Sequence, residues 1–298
     1  MQIAIIGLGK MGGNMAKRLL RGGHQVVAYD RDAAAVEALA KEGATAASSL
    51  EDVVSKLTQP RAVWVMVPSG KPFDMTKATL MTTLAADDIV IDGGNSDFRE
   101  SMKHSVDLAT KKIRWLDCGT SGGVWGLENG YCLMVGGDQS AYEHLLPILS
   151  TLAPKEGQQY FGKAGAGHFA KMVHNGIEYA MMQAYAEGFE LLKASEFGFD
   201  LHKLTHVWNQ GGVVRSWLLE LAERAFKKDP ELKELKAYVD DNGMGRWTVR
   251  EAINHAVAAP AISAALFARF ASRQENGFGL RVLAALRNEF GGHAVKKS

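Results

Sequence analysis

Apolar residues along this chain follow two rhythms, and the change from one to the other divides it. In the first half, short continuous apolar runs alternate with stretches whose apolar positions recur every three to four residues. Residues 2–8 form a buried-strand run, and residues 11–21 follow with helical spacing. Residues 25–29 repeat the strand pattern and residues 33–41 the helical one. Further strand runs stand at 62–67, 89–92, 114–118 and 131–135, with helical candidates between them. This alternation predicts a parallel, doubly wound α/β sheet. Near Gly162 the rhythm changes. From Ala164 onward the spacing is helical, punctuated by Asp229-Pro230 and by Gly243 and Gly245. The pattern predicts an α/β domain over residues 1–162 and an all-helical domain over residues 163–298.

Composition narrows what such a chain does. Its 298 residues are enough for two ordinary domains, and 47% hydrophobic with 22% charged residues is a globular balance. Lys and Arg number 34 against 33 Asp and Glu, which argues against nucleic acid or a membrane surface as partner. No apolar run reaches membrane-spanning length, and no basic segment precedes an apolar one at the N-terminus. Cys118 and Cys132 do not form a C-x-x-C, so neither a disulfide framework nor a cysteine zinc site is expected. No dense His/Asp/Glu ligand cluster appears, so no metal is expected. A cytoplasmic setting fits these features.

The first strand run ends in a phosphate-binding signature. Gly7-Leu8-Gly9-Lys10-Met11-Gly12 is a G-x-G-x-x-G that opens the first helical stretch. The first glycine permits the tight turn, the second lets the backbone approach a pyrophosphate, and the third lets helix and strand pack closely. The helix N-terminus adds free N–H groups and the positive end of its dipole. Between a strand and a helix, this motif predicts a Rossmann dinucleotide-binding domain. Asp30 ends the second strand run, where a carboxylate bonds the adenosine ribose hydroxyls and repels a 2′-phosphate. NAD is therefore expected over NADP. Arg31 is the opposing signal, because a guanidinium there suits the 2′-phosphate. Asp30 also suits a helix N-cap.

Residues 165–179, Gly-Ala-Gly-His-Phe-Ala-Lys-Met-Val-His-Asn-Gly-Ile-Glu-Tyr, carry the densest candidate chemistry. Lys171, His174, Asn175 and Glu178 stand at i, i+3, i+4 and i+7, which gathers them on one helix face. Phe169, Met172, Val173, Ile177, Met181 and Met182 surround them. A solvated charge stripe has the same spacing. Gly165 and Gly167 just before the helix, and the dinucleotide signature upstream, favour a buried reactive face instead. Asp92-Gly93-Gly94-Asn95-Ser96 follows the strand run at 89–92, at the carboxyl end where doubly wound sheets bind ligands; its simpler reading is a turn leading to a Ser96 cap. Thr120-Ser121-Gly122-Gly123 follows the run at 114–118 as a loop of small residues whose N–H groups suit a carboxylate or hydroxyl. Arg269, Arg287 and His293 add cationic candidates in the helical half.

Taken together, the 7–12 fingerprint, Asp92 to Ser96, Ser121-Gly122-Gly123 and above all residues 165–179 resemble 6-phosphogluconate dehydrogenases (decarboxylating), from the N-terminus to about His293. The chain is similar to the short form, which lacks the second helical repeat of the longer enzymes. The resemblance implies oxidative decarboxylation of 6-phospho-D-gluconate to D-ribulose 5-phosphate, a reaction of pentose phosphate metabolism. It implies Lys171 as general base and Glu178 as general acid. Asn95, Ser121, Gly122, Gly123, His174, Asn175 and Tyr179 match substrate contacts. Val67, Pro68 and Ser69 match a loop lining the nicotinamide side, to which Asn95 also belongs. Arg269, in Phe267-Ala268-Arg269, matches a phosphate-binding arginine. Arg287 and His293 match a pair supplied by a neighbouring subunit, so a homodimer or homotetramer is implied. Where the longer enzymes have Lys-Gly-Thr-Gly-Lys-Trp-Thr, this chain has Asn242-Gly243-Met244-Gly245-Arg246-Trp247-Thr248. The phosphate-binding lysine and threonine are thus replaced by Asn242 and Met244, and Arg246 is the expected compensation. Two other readings compete. A 3-hydroxyisobutyrate-type dehydrogenase would share fold, fingerprint and lysine but would not decarboxylate. A non-catalytic dinucleotide sensor would bind cofactor without turnover.

Overall fold

A computed structural model describes residues 1–292 and 294–296. Strands and helices follow in the order β1 (Gln2–Ile6), α1 (Lys10–Arg21), β2 (Gln25–Tyr29), α2 (Ala33–Lys41), β3 (Thr45–Ala46), α3 (Leu50–Ser55), β4 (Ala62–Val65), α4 (Lys71–Thr83), β5 (Ile89–Asp92), α5 (Phe98–Ala109), β6 (Arg114–Ser121), α6 (Gly126–Asn129), β7 (Cys132–Gly137), α7 (Gln139–Leu152) and β8 (Gln158–Tyr160). Helices alone follow: α8 (Ala166–Ala194), α9 (Leu201–Asn209), α10 (Trp217–Lys228), α11 (Met244–Asn254), α12 (Pro260–Ala271) and α13 (Phe278–Gly291).

The eight strands form one sheet in the order β3-β2-β1-β4-β5-β6-β7-β8. Continuous apolar runs suit strands buried on both faces, and alternate residues serve opposite sides. Ile3, Ile5, Trp64, Ile89 and Ile91 pack on one face with Met15 and Leu19 of α1 and Leu145 and Ile148 of α7. Ala4, Ile6, Val63, Val65 and Val90 pack on the other with Val53 of α3, Phe73 and Leu80 of α4 and Leu108 of α5. Helices on both faces are the doubly wound arrangement. The chain steps from β1 outward to β2 and β3, then returns to β4 on the other side of β1. The cleft at the carboxyl ends of β1 and β4 is the place where such sheets take ligands.

One pairing departs from the all-parallel expectation. β6 and β7 run antiparallel, from Leu116↔Gly137 to Ser121↔Cys132. The connection over residues 122–131 is too short for a parallel crossover, so β7 turns back along β6. This pairing also extends β6 to Ser121, beyond the strand end expected at 118. The short strands β3 and β8 have no apolar run to announce them.

The structure divides into two compact units, Met1–His174 and Asn175–Ser298, with the boundary inside α8 rather than in the loop before it. Within the second unit, Phe189, Leu201, Leu219 and Phe226 knit the C-terminal part of α8 to α9 and α10. Tyr179, Ala265 and Leu266 form a separate small core with Val249 and Phe270. This unit leaves much apolar surface in the open: Ile177, Leu191, Phe267 and Leu283 are each more than half exposed. The flank of α8 formed by Ile177, Met181 and Met182 is exposed as well. Among the described residues no helix is long and apolar enough to cross a membrane.

Candidate active site

The fingerprint loop has the shape its glycines require. Gly7 has φ +93°, and a Cβ there would stand 2.9 Å from the Met66 carbonyl carbon. A Cβ on Gly12 would stand 2.0 Å from the Gly7 carbonyl oxygen. Gly9 differs: no described protein atom lies within 4 Å of a Cβ built there. The fold itself does not need glycine at that point, whereas a pyrophosphate seated against the loop does. Gly9 is also the N-cap of α1 and gives that helix no side-chain cap. Its first N–H groups therefore face the same space, beside the exposed Lys10. These features fit a dinucleotide.

Asp30 closes this loop. Its Oδ2 accepts from the Leu8 N–H at 2.6 Å and its Oδ1 from the Asp32 N–H at 2.9 Å. A carboxylate has about four acceptor sites, so two ribose hydroxyls remain within its capacity. The cap of α2 is Asp32, which accepts from the Ala34 N–H, and not Asp30. Arg31 is exposed next to it.

Two further loops leave adjacent strands beside the fingerprint. Met66 donates its N–H to Ile6 and Gly93 donates to Val65, so the segments after β1, β4 and β5 run side by side. Val67 is half-buried, while Pro68 and Ser69 are exposed. Asn95 is exposed on the third loop, which the buried Asp92 braces by accepting from the Gly94 N–H at 2.9 Å and the Ser96 hydroxyl at 2.7 Å. Ser96 therefore braces its own loop, and the cap of α5 is Asp97.

The first turns of α8 lie on β6. Lys171 is only 5% exposed, and a Cβ on Gly119 would collide with its Cβ. Ser121, the last residue of β6, has its hydroxyl 3.4 Å from His174 Nε2. Thr120 and Ser121 thus belong to the strand, and the loop begins at Gly122 and Gly123, which take φ +127° and +54°. Further along α8, Asn175 and Tyr179 are buried, and His174 and Glu178 half-buried.

In the second unit, Tyr179 donates its hydroxyl to Asn242 Oδ1 at 3.0 Å, and the Arg269 guanidinium stacks 3.6 Å from its ring centre. Arg269 also donates to the Asp240 carbonyl at 2.8 Å. Arg246 is committed to Asp241, with Nε at 2.8 Å and Nη2 at 3.0 Å, and stacks over Phe270. Its guanidinium, together with burial-opposing bonds from Arg273 and the Gly243 N–H, holds the Asp241 carboxyl well below the usual range. Met244 is fully buried, so it offers nothing to a ligand. Arg287 is exposed on α13 and, among the described residues, has no hydrogen bond or ion pair to Tyr179, Arg246 or Arg269. His293 lies outside the described residues.

Three contributors have no sequence signal as strong as a motif. Asp117 and Gly119 sit in what reads as an apolar strand and its following loop. Asp241 reads as one of a pair of surface acids. The i, i+2, i+4 placement of Asp117, Gly119 and Ser121 is the trace that would find the first two. Among the described residues no group of three or more metal-ligating side chains occurs.

Comparison with known proteins accounts for both units. Residues 2–162 match the model for the NAD binding domain of 6-phosphogluconate dehydrogenase, and residues 167–285 the model for the 6-phosphogluconate dehydrogenase C-terminal domain. Bacillus subtilis YqeC is 46% identical over 100% of both chains. The NAD(+)-dependent, decarboxylating 6-phosphogluconate dehydrogenase of Haloferax volcanii is 45% identical, over 100% of this chain and 99% of its own. The Plasmodium falciparum 6-phosphogluconate dehydrogenase, solved in apo form and with NADP+ and 6-phosphogluconate, superposes with a TM-score of 0.84 at 27% identity. That match covers 100% of this chain and 66% of the longer one. Mycobacterium tuberculosis 3-hydroxyisobutyrate dehydrogenase shares the fold, with a TM-score of 0.72 at 24% identity over 96% of this chain and 99% of that one.

Proposed function

We propose, from the premise that this chain belongs to the 6-phosphogluconate dehydrogenase family, that it oxidatively decarboxylates 6-phospho-D-gluconate to D-ribulose 5-phosphate and CO2 with NAD. The observation that carries this reading is Lys171, buried over Gly119 on the unbroken helix that also bears Asn175 and Glu178.

When bound, the nicotinamide would supply the hydride acceptor for C3 of the substrate. Lys171, as the neutral amine, takes the proton of the 3-hydroxyl. The product is a β-keto acid. The Lys171 ammonium then returns a proton to the C3 oxygen as the C1–C2 bond breaks and CO2 leaves, which neutralises the charge growing on that oxygen. The bond electrons remain as an enediol. Glu178, as the acid, protonates the carbon that lost CO2, and Lys171 takes back the proton of the adjacent hydroxyl to give the ketone. Lys171 and Glu178 stand roughly 10 Å apart along the helix axis, so each addresses a different carbon. Asn95, Ser121, Gly122, Gly123, His174, Asn175 and Tyr179 are assigned to holding the sugar acid.

For the cofactor, Asp30 supports NAD. Wild-type enzyme should show a higher kcat/KM with NAD than with NADP, and the reverse order would contradict the assignment. Asp30→Ser should lower the NAD:NADP ratio of kcat/KM by roughly tenfold, about 1.4 kcal/mol of discrimination.

Arg269 and Arg246 are assigned to the phosphate. Two of the five guanidinium donors of Arg246 go to Asp241, which leaves its Nη1 side for an anion. Arg246→Ala should raise KM for 6-phosphogluconate by about tenfold with kcat little changed. An unaltered KM would remove Arg246 from the site. Arg287 and His293 are assigned to a neighbouring subunit, and the exposed apolar residues of the second unit favour such a homo-oligomer. Two free cysteines, one of them exposed, suit a reducing cytoplasm.

One assay separates the readings. Protein, NAD and 6-phosphogluconate are mixed, and NADH absorbance and CO2 are followed together. Joint formation supports decarboxylation, NADH without CO2 the 3-hydroxyacid dehydrogenase, and cofactor binding without turnover the sensor.

A further inference from the structure

Alternate residues of β6 meet successive turns of α8. Asp117 accepts from the backbone N–H groups of Gly165 and His168, Gly119 lies under the stem of Lys171, and Ser121 meets His174. Residues 117, 119 and 121 share one face of a strand, and residues 168, 171 and 174 follow one another along a helix. Strand and helix are thus matched at three points along the stretch that carries the proposed base.

Asp117 is wholly buried, and among the described residues it has no ion pair. Its charge is met by the N-terminus of α8: Oδ1 accepts from Gly165 at 2.7 Å and Oδ2 from His168 at 2.9 Å. With both oxygens engaged, the carboxylate fixes the height and rotation of the first turn while satisfying two otherwise orphaned donors. Beyond it the helix lies directly on the sheet backbone. A Cβ on Gly167 would stand 2.4 Å from the Met134 carbonyl oxygen and 2.5 Å from that of Asp117. A Cβ on Gly119 would stand 2.3 Å from the Cβ of Lys171. The buried His168 ring adds a lateral tie, with Nδ1 2.6 Å from the Ser101 hydroxyl of α5.

We propose that Asp117 and Gly119 are positioning residues for Lys171, setting the register of α8 on β6 and so the place where the amine meets the substrate hydroxyl. The inference rests on the reading of Lys171 as the base. Asp117→Asn keeps the shape but turns one acceptor into a donor facing an N–H group. Gly119→Ala puts a methyl group where the Lys171 stem passes. In each variant kcat should fall about 10- to 100-fold, the size of loss that follows displacement of a reacting group by about 1 Å. The Kd for NAD and the KM for 6-phosphogluconate should stay within about threefold of wild type. In single turnover, Asp117→Asn should add no loss to that of Lys171→Met, because the residue acts through that side chain; a general structural defect would add its own.

If wild type turns over, Lys171→Met does not, and both positioning variants keep kcat within about twofold, the inference falls and the base reading stands. Loss of NAD binding with kcat, or failure of both variants to fold, assigns the pair to stability and also overturns it. If only Asp117→Asn fails to fold, Gly119→Ala decides. Full turnover by Lys171→Met removes the base reading, and the inference with it.

Discussion

Lys171→Met is expected to abolish NADH formation and CO2 release together, with kcat reduced by about 10³- to 10⁴-fold. Methionine keeps an unbranched stem that passes over Gly119, so the change removes the amine with little change of shape. Both losses have one origin in the proposed mechanism. The amine takes the proton that lets hydride leave C3, and its protonated form then supports the charge that develops as CO2 departs. NAD binding should survive, because the fingerprint loop, Asp30 and the α1 N-terminus make no use of this side chain. Retention of kcat within about tenfold would show that another group is the base. Oxidation that persists while decarboxylation is lost would split the two roles assigned here to one residue.

Glu178→Gln is expected to act later in the sequence of events. Glutamine keeps the length and the hydrogen-bonding capacity of the side chain but has no proton of suitable acidity to give. Steady-state kcat should fall by about 10²- to 10³-fold. In single turnover, NADH and CO2 should still form in near-equal amounts, with the enediol left to find its proton from water. The variant should therefore show a burst of NADH followed by a slow phase, and less control over which face of the product C1 takes up deuterium in D2O. An unchanged kcat would contradict the assignment, and a loss of the burst itself would move Glu178 to the oxidation step.

Much of this arrangement is legible in the sequence, and the parts that are not share a physical reason. The fingerprint is legible because its glycines answer local constraints. The turn at Gly7 and the contact at Gly12 are set within a few residues, and Gly9 answers to a ligand that many chains share. Strands such as Gln25–Tyr29 and Ile89–Asp92 are legible because burial on both faces demands unbroken apolar runs. The end of β6 is not, since Gly119 weakens the strand, Thr120 and Ser121 add no apolar run, and the three pair with β7 only because it folds back beside them. Asp117 is hidden for a similar reason. A buried acid in a strand has no local partner, and the donors it meets belong to residues 165 and 168, brought there by the tertiary fold. Arg246 is legible as a cation, but its pairing with Asp241 is visible only once α11 begins at Met244 and brings Arg246 back to the carboxylate in the segment before the helix. The apolar flank at Ile177, Met181 and Met182 reads as core on periodicity alone, because spacing does not distinguish an apolar helix face that is buried from one that stays exposed.

In the proposed function one chemistry, oxidation coupled to loss of C1, takes place on the helix that carries Lys171 and Glu178. It is tested most directly with 6-phosphogluconate labelled with ¹³C at C1, incubated with the protein and NAD while NADH and labelled CO2 are measured in one vessel. One labelled CO2 for each NADH and an unlabelled five-carbon ketose phosphate are the expected products. NADH that accumulates with the label retained in a six-carbon acid would contradict it.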